Sequence, residues 1–75
     1  MKIELARKEY SDALAFRAAT FDAACDAECV WDEDQTDANL AALRIADASL
    51  HVADARLSAA IASLKHAEAL ERHGS

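Results

Sequence analysis

Leucine recurs every seven residues through the second half of this chain, at Leu43, Leu50, Leu57 and Leu64. An alanine follows each leucine by three, at Ala46, Ala53, Ala60 and Ala67. On an α-helix such a 3–4 alternation falls on one stripe, with leucine at the a position and alanine at d. Four consecutive heptads are long enough for the pattern to specify a coiled-coil-like seam rather than a chance cluster. The alanine has a physical consequence: one small residue per heptad lets a second helix backbone approach closely. The rest of the sequence leaves little alternative to helix. It has no proline, one glycine and twenty alanines in 75 residues. Tight β-turns need Gly, Pro or Asn-Gly, and alanine is the best helix former. The expected fold class is all-α.

A second stripe runs along the same helix. Ala41, Ala48, Ala55, Ala62 and Ala69 also recur every seven residues, and Ile45, Val52 and Ala59 lie beside them. At about 100° per residue this stripe is roughly opposite the leucines. Exposed alanine alone would need no explanation beyond helix propensity. Ile45 and Val52 argue for a second contact face, because β-branched apolar residues are not favoured on solvated helix surfaces.

The first half of the chain has the same two-sidedness. Ile3, Tyr10, Leu14, Phe21 and Cys25 fall near one line, whereas Leu5, Phe16, Ala19, Ala23, Ala27 and Val30 fall on the other side. Phe16 lies about 200° from Leu14, so one interface does not bury both. The sequence therefore predicts a helix over about residues 3–31, an acidic turn over about 32–36 and a helix over about 37–73. Together they form a single module spanning residues 1–75. Asp34 or Thr36 supplies an N-cap for the second helix, and Asp37 adds favourable charge in its first turn. A continuous long helix competes, since Trp31 to Asp37 contains no Gly or Pro. The acidic run opposes the first helix's dipole and favours a break, and a short connection favours an antiparallel hairpin. A module this small buries a limited core. The hairpin is expected to complete a bundle by self-association or on a partner.

Charge is segregated along the chain. Residues 1–17 carry +1, residues 18–43 carry −7 with no basic side chain, and residues 44–75 carry 0, giving −6 in all. A hairpin concentrates that imbalance at its turn end, around Asp26, Glu28, Trp31, Asp32, Glu33, Asp34 and Asp37. Such a tip repels nucleic-acid phosphate, so direct nucleic-acid binding is not expected, and it steers association with a basic surface. Trp31 in its midst has the character of a binding anchor, or else folds over the hairpin end against Leu40.

Motifs for chemistry are sparse. Cys25 and Cys29 stand at i,i+4, with Cβ atoms about 5–6 Å apart, too far for an unstrained disulfide. Two thiols are half of a soft metal site, and the sequence supplies no second pair. Asp32, Asp34 and Thr36 match the first ligand positions of a calcium loop, but Asp37 and Leu43 stand where its glycine and final glutamate belong. His51, His66 and His73 have no ligand spacing. No phosphate loop, nucleophile elbow or metalloprotease helix is present. No cofactor and no enzyme activity are expected. The N-terminal residues lack the apolar core of a signal peptide. The longest uncharged run, Leu57 to Leu64, is about a third of a membrane span. With free thiols, these features suggest a cytoplasmic protein.

The expected function is a non-enzymatic protein-binding module. Its acidic tip would engage a basic partner, with inhibition by mimicry of nucleic-acid phosphate as the sharpest form of that idea. Phe16, Ala19, Ala23, Ile45 and Val52 would form an oligomer or partner face, with a homodimer as the expected assembly. The alternatives are a purely structural homo-oligomeric bundle and a small metal-binding or redox protein built on the cysteine pair.

Overall fold

The computed structural model describes residues 2–74; Met1 and Ser75, the ends of the expected module, lie outside the described residues. Two helices make up the chain, α1 (Ile3–Glu33, 31 residues) and α2 (Asp37–Gly74, 38 residues), and they pack against each other as an antiparallel hairpin. The molecule is a rod of 58 × 13 × 13 Å. At 1.5 Å per residue α2 alone spans about 57 Å, so this one helix sets the length.

The chain reverses in three residues without glycine and without a positive φ among the described residues. Asp34 leaves the helix in an extended conformation (φ −147°, ψ 96°) while its N–H still donates to the Val30 carbonyl at 3.0 Å. The Thr36 N–H donates to the Asp34 carbonyl at 2.9 Å, and the Asn39 side-chain amide donates to the same oxygen at 2.6 Å. Thr36 then caps α2: its Oγ1 accepts the Asn39 N–H at 3.2 Å, and its carbonyl accepts the Leu40 N–H at 3.0 Å. Of the two capping candidates, Thr36 takes the role and Asp34 closes α1. The last turn of α1 contains Asp32 and Glu33 and no basic side chain. Opposition to the dipole costs only about 0.3–1 kcal/mol at an exposed terminus, which is too little to end the helix earlier. Thr36→Ala is expected to lower stability by about 1 kcal/mol. In urea denaturation this reads as a lower midpoint at unchanged slope.

The seam between the helices is lined by small residues. Ala6, Ala13, Ala24, Ala53, Ala60, Ala67 and Thr20 are buried, and no large side chain is fully buried among the described residues. Leu43, Leu50, Leu57 and Leu64 are half-buried along the same line. Each leucine covers the alanine seam from the side, while the alanines bring the backbones together. Thr20 fits because its hydroxyl is satisfied inside its own helix, donating to the Phe16 and Arg17 carbonyls at 3.0 Å each.

On α1 the seam follows neither apolar line of the sequence in full. Ile3, Ala6, Tyr10, Ala13, Arg17, Thr20, Ala24, Ala27 and Trp31 face α2, an unbroken 3–4 alternation, and all are buried or half-buried. Leu14 and Phe21 stand beside the seam at 42% and 46% exposure, and Cys25 is exposed. The reason is close approach. Where backbones pack this tightly, only small side chains fit between them, and the larger apolar residues are displaced to the flanks.

Candidate interaction surface

Cross-helix contacts set the register. Arg17 Nε donates to Asp54 Oδ1 at 2.7 Å, and the Arg56 guanidinium lies over the Phe16 ring, 5.3 Å from its centroid. Arg17 also lies over Phe21, at 5.7 Å. Arg17 occupies a seam position, yet its charged head leans outward, and both partners of the ion pair remain nearly half exposed (41% and 48%). A pair that wet is worth less than about 1 kcal/mol, so it selects the register more than it stabilises the fold. Neither the Arg17–Asp54 pair nor the stacking of Arg56 on Phe16 was anticipated from sequence. Both follow once the turn is placed, because they join residues equidistant from it.

The hairpin has two broad faces flanking its seam. One carries Phe16, Ala19 and Ala23 from α1 and Ile45 and Val52 from α2. Ala19, Ala23 and Ile45 line a single shallow apolar depression, together with Ala27, Ala42 and Ala46. Phe16 is half-buried beneath Arg56, a little further from the turn. Ile45 and Val52 are 69% and 62% exposed, the two highest values among the exposed large apolar residues. The opposite face carries Leu14, Phe21 and Arg17. Both faces carry charge: Asp54 from α2 reaches across this one to Arg17, and Arg56 covers Phe16 on the first.

The tip is uniformly acidic and solvated. Asp26, Glu28, Asp32, Glu33, Asp34 and Asp37 are all exposed, and Trp31 is half-buried at the end of the seam. In the folded hairpin the turn-proximal half, residues 18–53, holds eight acidic side chains and Arg44, a net −7. The remaining residues sum to +1. The molecule is thus polar end to end.

Cys25 and Cys29 are free and exposed. Among the described residues no group of three or more His, Cys, Asp or Glu side chains converges to hold a metal ion. His51, His66 and His73 are exposed. No helix among the described residues is long and apolar enough to cross a membrane. No family model matches the chain, and no curated protein or solved structure matches it.

Proposed function

We propose that this chain is a non-enzymatic protein-interaction module that presents the Phe16, Ala19, Ala23, Ile45 and Val52 face to a helical surface. The observation that carries the reading is exposed area. A compact folded monomer of 8.1 kDa exposes about 4,500 Å². This hairpin exposes 5367 Å². The excess is roughly 900 Å² by that scaling; it follows from the rod shape, and the surface so exposed includes the large apolar side chains Ile45 and Val52. Two helices share only one seam, so each retains an uncovered apolar flank. Covering such a flank removes apolar surface from water at about 25 cal/mol per Å².

The acidic tip supports a role in steering. Seven uncompensated negative charges at one end raise the encounter rate with a basic surface and disfavour nucleic-acid phosphate. Two exposed free thiols suit a reducing compartment such as the cytoplasm.

The reading is tested in the native host with a photo-crosslinking amino acid at Ile45, compared with the same group at His51. The expected result is one discrete adduct from Ile45, lost when Phe16→Asp is added, and none from His51. Absence of any discrete adduct from Ile45 overturns the reading.

A further inference from the structure

We infer that the occupant of the Phe16–Ile45–Val52 face is a second copy of this chain, laid antiparallel, so that two hairpins close one four-helix bundle. The inference rests on the interaction-module reading and names its partner. Three observations carry it: the size of the uncovered surface, the end-to-end charge, and the order of side chains along the face.

The area fits. One flank of the 58 × 13 Å rod projects roughly 750 Å², close to the ~800 Å² per partner that a standard stable interface buries. A twofold pairing uses the same patch on both copies, which is the commonest arrangement of soluble homo-oligomers. One face per hairpin is then sufficient.

The charge fixes the direction. Packed helices lie about 8–10 Å apart, comparable to the Debye length of about 8 Å at physiological salt. Charges on neighbouring hairpins therefore interact. A parallel pair sets the −7 half of one copy against the −7 half of the other. An antiparallel pair sets each −7 half against a +1 half. The second arrangement removes the repulsion and replaces it with a weak attraction.

The order of side chains fits the same direction. Val52 and Phe16 lie close to the level of the Arg17–Asp54 pair, near the middle of α1. A twofold axis there brings the two Val52 side chains together. Ile45 lies seven residues from Val52 toward the turn, and Ala59 lies seven residues from it toward the open end, about 10 Å in each direction. Reversal therefore places Ile45 of one copy over Ala59 of the other. Ala59 lines a surface depression with Ala60 and Ser63, rimmed by Glu9 and Arg56, whose aliphatic stems would flank an inserted side chain while their charged ends stay in water. A protruding side chain at one end thus meets a recess at the other. A parallel pairing would set Ile45 against Ile45 and leave both recesses empty.

Sedimentation equilibrium of the full chain from about 5 to 100 µM tests the stoichiometry. The direction is tested with single-cysteine variants in a Cys25→Ser, Cys29→Ser background, treated with a short bis-maleimide. The expected mass is twice 8.1 kDa. Val52→Cys is expected to yield covalent dimer and Ala42→Cys none, because the two Ala42 positions of an antiparallel pair are about 30 Å apart along the axis. Phe16→Asp is expected to weaken the dimer about thirtyfold or more while its helical circular dichroism is retained. A monomer throughout that concentration range overturns the inference. If the Ile45 adduct in the host persists at a mass other than that of two chains, only the second-copy assignment falls. Equal crosslinking at both cysteine positions overturns the antiparallel direction.

Discussion

Replacing Ala53 by leucine is expected to destabilise the hairpin by about 3 kcal/mol, whereas the same change at Ala55 is expected to stay within about 0.5 kcal/mol. Ala53 has no exposed surface, and Ala55, two residues on, is exposed. Both substitutions exchange one good helix former for another, so intrinsic propensity contributes little to the difference. What differs is the space. At Ala53 the side chain is all that separates two helix backbones, and three added carbons have no cavity to enter. Relief requires the helices to move apart, which uncovers the neighbouring alanines at Ala60 and Ala67. A chain of this size is stabilised by only about 4–11 kcal/mol. For such a chain a 3 kcal/mol loss lowers the melting temperature by about 12–24 °C. Thermal unfolding followed by circular dichroism at 222 nm measures both variants. Equal melting temperatures would show that close approach of the backbones is not what holds the seam.

That contrast marks where the sequence was legible. The α2 seam could be read because its leucines announce it: large apolar residues repeat every seven and the alanines come with them. The helical class followed from the absence of proline and the abundance of alanine, and the reversal from the acidic run at the end of α1 and the short connection after it. The α1 seam has no such marker, and the sequence left two apolar lines open there. Its a positions are occupied by Ile3, Tyr10, Arg17, Ala24 and Trp31, a series that includes a charge and a small residue. Leu14 and Phe21, the more conspicuous apolar residues, stand on its flank. The signal that marks it is the other half of the heptad, Ala6, Ala13, Thr20 and Ala27, where small residues repeat every seven without interruption. In an alanine-lined hairpin the small residues carry the pattern, and a search for large apolar residues finds the flanks. The face formed by Phe16, Ala19, Ala23, Ile45 and Val52 was easier to read, since Ile45 and Val52 interrupt an otherwise alanine-rich surface. Sequence could not show that Arg56 covers Phe16 on it, or that Arg17 pairs with Asp54 on the opposite face. Their partners are set by register, and register depends on where the three-residue turn falls.

The alanine seam of α1 carries a counterintuitive expectation: introducing a charge at a small alanine is expected to be far worse than introducing it at a large leucine next door. Ala13→Asp is expected to cost about 3–5 kcal/mol, because an unpaired carboxylate would be held away from water between two helices. Aspartate also has a lower helix propensity than alanine, which adds up to about 0.7 kcal/mol. The total is of the same order as the stability of the whole chain, so the cooperative thermal transition is expected to disappear or to fall below room temperature. Leu14→Asp loses the buried part of a side chain that is already 42% exposed, and its carboxylate reaches solvent. Its cost is about 1–2 kcal/mol, with a folded baseline retained. Had Leu14 been the seam residue, the ranking would be reversed, since leucine would lose a full core contact and Ala13 would tolerate aspartate on a wet surface. Measuring the two variants side by side therefore decides between the two seams. Loss of structure in the Leu14 variant with a folded Ala13 variant would refute the alanine seam on α1. The self-association argued above does not blur the comparison, because Ala13 has no exposed surface within the single hairpin and Leu14 stands on the face opposite the one assigned to the second copy.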